Sequence, residues 1–256
     1  MWVEALLIAL WAGIAGIDLF NGLTHIHRPL VTGLVVGLIL GDLTTGLIIG
    51  GTLELIWMGM VPLAGAQPPN VVIGGVIGTA FGIITAQDPN VAVGIAIPFA
   101  VAVQAAVTFI FTLYAPIMHK ADEFAERGNY KGIEWINYSG MAFLFLFYFV
   151  IAFLPIALGA TTATSIVEAV PQWIIDGLGI AGGILPAVGF AMLLKIMMKT
   201  EYIMFFIVGF VIAAYTEMTI LAIALLAFAV AMYDFYNKSG DATKSDGSEG
   251  EITDGI

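Results

Sequence analysis

Apolar residues cover 2–20, 29–50, 52–66, 71–86, 91–118, 140–160, 178–198 and 202–235, and one long polar segment, HKADEFAERGNYKGIEWINYSG at 119–140, divides them. A helix that crosses a bilayer core needs about 20 apolar residues. The stretches 91–118, 140–160 and 178–198 reach that length. The stretch 202–235 is too long for one ordinary crossing, and Tyr215-Thr216-Glu217 splits it into two spans of roughly 15–18 residues. The first half behaves differently. Residues 30–41, 44–58 and 71–86 are each too short for a comfortable crossing and are separated by Gly, Asp and Pro. Short apolar segments interrupted in this way predict broken or re-entrant helices. Their backbone is tolerated at membrane depth only where protein or a watery cavity satisfies it. A transport site is therefore expected in the first half.

Composition settles the solvent. Of 256 residues, 60% are hydrophobic and 11% charged, against roughly 25% charged in soluble domains, and the mean hydropathy is +1.01. This defines an all-α polytopic membrane protein with about 8–10 membrane segments. The short alternating segments of an outer-membrane barrel do not occur. The first twenty residues carry Glu4 rather than a basic leader, and Ala5–Ile17 reads as a retained helix. With no cysteine, disulfides, thiolate metal sites and cysteine nucleophiles are excluded. The net charge of −11 is no footprint for nucleic acid. Residues 1–236 form the membrane domain. The acidic Gly/Ser/Asp-rich tail, 237–256, reads as a disordered, solubilising end.

Lys120, Arg127 and Lys131 place the 119–139 loop on the cytoplasmic side. Residues 140–160 then cross outward, and 161–177 form an external amphipathic helix with Ile166, Val170, Trp173 and Ile174 on one face. Residues 178–198 return, bringing Lys195 and Lys199 inside, and the split pair leaves Lys238 and Lys244 inside as well.

Charged residues in such surroundings cost at least about 2.5–3.5 kcal/mol each near the bilayer centre. Asp18, Asp42, Glu201 and Glu217 lie at the ends of apolar stretches and are read as reaching the interface. Glu54, flanked by GLIIGGTL and LIWMGM, is different. It is either a functional carboxylate, a helix cap beside Thr52, or an internal partner for Arg28. His25 and His27 lack a third ligand for a metal, so HIHRPL reads as an interfacial turn in which Arg28 snorkels and Pro29 opens the next helix. No cofactor motif occurs. The glycines of GLVVGLILGDLTTGLIIGG recur every four or five residues, the spacing of close helix packing in membranes.

The stretch GGTLELIWMGMVPLAGAQPPN, 50–70, concentrates these features. Gln67 and Asn70 supply amide donors and acceptors in a proline-broken segment, a match for a neutral hydroxylated ligand. Trp57, one turn beyond Glu54, is either a stacking platform for a sugar or an interfacial-belt aromatic.

HRPLVTGLVVGLILGDLTTGLIIGGTLELI, the G-A-x-x-P-[DN] block at 65–70, HKADEFAERGN at 119–129 and PQWIIDGLGIAGGILPAVGFAMLLKIM at 171–197 occur in this order. From about Gly16 to Tyr236 the chain resembles the membrane C subunit (EIIC) of the mannose-family sugar phosphotransferase systems. GAQPPN and GGILPAVGF look most like the N-acetylgalactosamine/galactosamine branch. The resemblance implies a sugar transporter of the bacterial inner membrane, a transport subunit rather than an enzyme by itself. It implies a D subunit as membrane partner in a trimer of C–D heterodimers, and cytoplasmic A and B subunits that phosphorylate the hexose or hexosamine. An elevator-type architecture is implied, with a re-entrant core mainly in 29–118 and a V-shaped scaffold. The sugar site then falls on Glu54, Gln67 and Asn70, with Trp57 beside them. Asn70 stands where mannose-type members carry an acid, so a hydrogen-bonding role carries over and a charged one does not. The 119–138 segment offers a docking surface for the B subunit. An ion-coupled sugar carrier using Glu54 and Asp42 is the alternative reading.

Overall fold

The computed structural model describes residues 2–22, 24–60, 67–169 and 171–245, with backbone alone for 159–169 and 237–245. Every element in these residues is helical: α1 (Trp2–Ile17), a π-helical turn (Asp18–Gly22), α2 (Pro29–Leu40), α3 (Leu43–Met58), α4 (Val71–Thr85), α5 (Pro89–Glu126), α6 (Tyr130–Ala169), α7 (Gln172–Met197), a short 3₁₀ turn (Thr200–Tyr202), α8 (Ile203–Tyr215) and α9 (Ile220–Ser245). Helix α1 with its π turn, α5, α6 and α7 contain stretches long and apolar enough to cross a membrane, and the others are shorter apolar helices. The chain forms two compact units, 1–196 and 197–256.

In the first unit the short helices appear where glycine, aspartate and proline predicted them. Pro29 opens α2 at its first turn, where the missing N–H has no partner to lose. Gly41, at φ +82°, ends α2 in the left-handed conformation, and Asp42 starts α3 by accepting the Thr45 N–H at 3.0 Å. Asp42 is thus a helix cap. The α2–α3 hairpin closes through its glycines. A methyl group at Gly50 would lie 2.7 Å from the Pro29 carbonyl oxygen, and one at Gly46 would lie 2.8 Å from the Gly37 Cα. Both distances are too short for a real side chain, so backbone packs on backbone.

Helix α4 is the core. A helix that is apolar all round belongs inside, and Val72, Ile73, Val76 and Ala80 are fully or almost fully buried. Its glycines admit neighbours from three sides: Gly74 meets Trp57, Gly75 meets Thr32, and Gly78 meets Ala96. On the far side α1 packs on α6, with Gly13 against the Phe145 ring and Gly16 against the Tyr148 ring. Helix α7 touches the bundle through small residues, Gly182 against the Asn90 backbone and Gly189 against the backbone of Leu55 and Ile56.

Three expectations change. The 119–139 segment is a helical hairpin tip rather than a loop. Its Ala, Glu, Lys and Arg residues favour helix, so α5 continues to Glu126 and α6 begins at Tyr130. The turn is made by Gly128 at φ +67°, and Asn129 caps the new helix by accepting the Gly132 N–H at 3.2 Å. Second, 161–177 is no separate external helix. Residues 161–169 extend α6, and α7 starts just after Pro171, which cannot continue a helix from the preceding turn. Third, the tail begins as helix, since α9 runs to Ser245; residues 246–256 lie outside the described residues.

The second unit holds α8 and α9, separated at 216–219 as the Tyr215-Thr216-Glu217 break predicted.

A side chain at the hairpin's closest approach has no space to occupy. Gly46→Val is expected to destabilise the protein by about 1–3 kcal/mol, read as a lower melting temperature of the detergent-purified protein. Gly51→Ala, whose nearest neighbour is the Leu30 side chain at 3.9 Å, should leave the melting temperature unchanged.

Candidate functional site

The four sequence-selected residues separate into two sets of partners. Glu54 turns towards the start of α2. Its Oε1 accepts from Arg28 Nε at 2.6 Å and pairs with Arg28 Nη2, and its Oε2 accepts the Leu30 N–H at 3.3 Å. Leu30 lies in the first turn of α2, where N–H groups have no partner within the helix. Glu54 therefore neutralises Arg28 and caps a neighbouring helix at once. The Thr52 hydroxyl donates to the Ile48 carbonyl instead, at 2.8 Å. Of the three roles open to Glu54, the partnership with Arg28 is the one observed.

Trp57 is 4% exposed, with its ring over Gly74 and its Nε1 donating to the Pro69 carbonyl at 2.8 Å. This corrects both sequence readings. The ring is neither an open stacking face nor a belt aromatic, because Gly74 leaves a gap that only a large flat side chain fills. Trp57 instead struts α3 against the segment carrying Gln67 and Asn70. Residues 61–66, including Pro62 and Gly65, lie outside the described residues.

Asn70 is 1% exposed and uses both ends of its amide. Its Oδ1 accepts the Ile73 N–H at 3.1 Å and so caps α4. Its Nδ2 donates to Tyr148 Oη at 2.6 Å and to Gln104 Oε1 at 3.2 Å. Its backbone N–H reaches the Ala100 carbonyl at 2.9 Å. One residue thereby joins α4, α5 and α6.

The polar line continues outward. Gln104 Nε2 donates to Gln67 Oε1 at 2.7 Å, and Thr108 Oγ1 donates to the same oxygen at 2.6 Å. Gln67 and Thr108 are exposed and Gln104 is half-buried. With Pro69, Val101 and Ala105 they line an open cleft of about 250 Å³. Among the described residues, none that lines the cleft carries a charge. The Gln67 amide nitrogen, with two N–H groups, has no partner among the described residues, and its oxygen is doubly occupied. The structure thus unites Gln67 and Asn70, supports both with Trp57, and sends Glu54 elsewhere.

Gln104, Thr108 and Tyr148 are not among the residues the sequence singles out, although for the first two a signal exists. In the apolar run 91–113, Gln104, Thr108 and Thr112 are the polar side chains, and they fall at i, i+4 and i+8 on one helical face. A second missed cluster surrounds Asp18, which is 4% exposed and does not reach the interface. Its carboxylate accepts the Thr24 N–H at 2.7 Å, the Thr24 hydroxyl at 2.6 Å and the His27 N–H at 3.3 Å, and lies 2.7 Å from His27 Nδ1. It holds the turn between α1 and α2. No group of three or more metal-ligating side chains occurs among the described residues.

Several apolar helices long enough to span a bilayer, with a polar cluster in a cleft between α5 and the 67–69 segment, define a multi-pass integral membrane protein. The family described as the sorbose-specific IIC component of the phosphotransferase system matches residues 2–233, and the chain belongs to that family of membrane transport subunits. It is 35% identical to the N-acetylgalactosamine permease IIC component 1 of Escherichia coli (strain K12) over 236 residues, 92% of this chain and 88% of the relative. It is 59% identical over 120 residues to the putative N-acetylgalactosamine permease IIC component 2 of the same strain, covering 47% of this chain and 90% of that relative. A solved membrane protein superposes with a TM-score of 0.82 at 31% identity, covering 91% of this chain and 95% of its own. A cryo-EM structure of the mannose transporter ManYZ with microcin E492 gives 0.59 at 31% identity, covering 92% and 96%.

Asn70→Ala removes the α4 cap and the bonds to Tyr148 and Gln104 together. A loss of about 1–3 kcal/mol is expected, seen as a lower melting temperature of the purified protein. Asn70→Asp keeps the capping oxygen and should recover part of that loss. For the clasp, Arg28→Met and Glu54→Met should each destabilise by about 1–3 kcal/mol. The double substitution should be less harmful than the sum of the two, because neither charge is then stranded.

Proposed function

We propose that this chain is the sugar-translocating membrane subunit of a phosphoenolpyruvate-dependent phosphotransferase system of the bacterial inner membrane. It imports N-acetylgalactosamine or galactosamine together with a membrane D subunit, in a trimer of C–D heterodimers. Cytoplasmic A and B subunits phosphorylate the sugar as it arrives, the B subunit docking on the 119–138 hairpin tip. The observation that carries this reading is the uncharged amide and hydroxyl cluster of Gln67, Gln104 and Thr108, open to a cleft in an otherwise apolar bundle. Paired donors and acceptors without a net charge suit a sugar's hydroxyls. The names of the N-acetylgalactosamine relatives support the sugar class.

Within the proposed site Gln67 touches the sugar. Asn70 fixes its position through Gln104, Trp57 holds the segment against α3, and Glu54 locks the α2–α3 hairpin beneath it. The cleft of about 250 Å³ is smaller than the roughly 300–1,000 Å³ of an enclosed small-molecule site. This supports a site completed by a partner chain, a role we assign to the D subunit. The short helices α2–α4 with the start of α5 form the moving core of an elevator-type carrier. The ion-coupled alternative loses its candidates, since Glu54 is paired with Arg28 and Asp42 caps α3.

The test is uptake of radiolabelled N-acetylgalactosamine by cells lacking their own transporter. Label should accumulate as sugar phosphate when all four subunits are present, and omission of either D or the phosphocarriers should abolish accumulation. Dissipating the proton and sodium gradients while phosphoenolpyruvate is maintained should leave initial uptake intact. Loss of uptake on gradient collapse would favour ion coupling instead.

A further inference from the structure

The geometry points to Gln67 as the residue that selects an N-acetylated sugar over the corresponding free amino sugar. This inference rests on the sugar-transport reading above and sharpens it, because N-acetylgalactosamine and galactosamine differ only at one nitrogen substituent. Galactosamine presents an ammonium at neutral pH, a cation with donors and no acceptor. N-acetylgalactosamine presents a neutral acetamido group whose carbonyl oxygen is a strong acceptor. A site separates the two by the polarity of the group that faces that position.

The Gln67 amide is oriented by its own partners. Gln104 Nε2 at 2.7 Å and Thr108 Oγ1 at 2.6 Å both donate to Oε1, so the oxygen faces α5 and the two N–H groups are the free end. Gln104 is itself oriented, since its Oε1 accepts from Asn70 Nδ2 at 3.2 Å. Asn70 in turn is fixed by the Ile73 N–H at 3.1 Å, which only its oxygen can accept. The backbone of α4 thus dictates Asn70, Asn70 dictates Gln104, and Gln104 dictates Gln67. What the cleft presents at Gln67 is a pair of donors.

Donors facing an ammonium make no hydrogen bond and leave the cation desolvated. Donors facing an acetamido oxygen make one. No compensating anion among the described residues lines the cleft, and the carboxylate nearest in sequence, Glu54, is already paired with Arg28. Both features act in the same direction, towards the neutral N-acetyl sugar.

Gln67→Glu tests this with a minimal change. The carboxylate keeps an oxygen for Gln104 and Thr108 and replaces only the free donor end with an acceptor bearing charge. Binding of N-acetylgalactosamine and of galactosamine is measured by calorimetry on the protein purified with its D subunit. The unaltered complex should prefer N-acetylgalactosamine. Gln67→Glu should move the affinity ratio towards galactosamine by roughly 10- to 100-fold, the worth of one hydrogen bond to a charged group. If the substituted complex does not assemble, Gln67→Met decides, and it should lower N-acetylgalactosamine affinity by roughly 5- to 50-fold without improving galactosamine. A preference that neither substitution changes in an assembled complex overturns the role of Gln67 and leaves the transport reading standing. An unaltered complex that binds neither sugar overturns the transport reading itself.

Discussion

A helix that starts inside a bilayer has no water for its first N–H groups, so each one must find a partner within the protein. The first half of this chain has four helix starts whose local sequences meet this demand. Pro29 opens α2 with no N–H to satisfy, and Glu54 reaches across to take the Leu30 N–H. Asp42 caps α3. Asn70 caps α4. Asp88 accepts the Asn90 N–H at 2.8 Å and Pro89 follows it at the first turn of α5. Polar side chains are supplied where these helices begin, the condition a short helix needs at membrane depth. One of the caps, Asn70, is also a member of the polar cluster beside the cleft.

The same constraint explains what could be read from the sequence. Glycine, proline and aspartate signal helix ends through their own backbone chemistry, so α2, α3 and α4 were legible within a residue or two, as was the break between α8 and α9. The glycine repeat was legible too, because its period reports a packing face before any partner is known. Partnerships were not. Asp18 carries no local mark that sets it apart from the other acids at the ends of apolar stretches, and its burial depends on His27 and Thr24 folding back over the π turn. Trp57 looked available for stacking because the gap it fills, above Gly74, is made by another helix. Hairpin 119–139 shows that polarity does not imply irregular backbone: its composition is that of a solvated helix, supported by Glu123 and Arg127 at i and i+4, 3.6 Å apart.

Within the candidate site, legibility followed direct against indirect roles. Gln67 and Asn70 were found because they sit in a visibly irregular segment. Gln104 and Thr108 were passed over because a regular apolar helix hides its polar face until the period is counted. Tyr148, 78 residues from Asn70 in the chain, had no sequence signal, since its hydroxyl matters only once α6 packs against α1 and the start of α4.

These contacts also form one continuous support. Arg28 and Glu54 pin the start of α2 to the middle of α3 across glycines that leave the two backbones no room to slide. Trp57, one turn beyond Glu54 on α3, holds the Pro69 carbonyl. Asn70, the next residue, fixes the start of α4 and reaches α5 and α6. The position of Gln67 is therefore set from two directions, by α3 through Trp57 and by α5 through Gln104 and Thr108. A side chain on an irregular segment is ordinarily free to turn. Here its amide oxygen is held by two donors on α5, which lets a flexible residue present a defined hydrogen-bonding polarity to whatever enters the cleft.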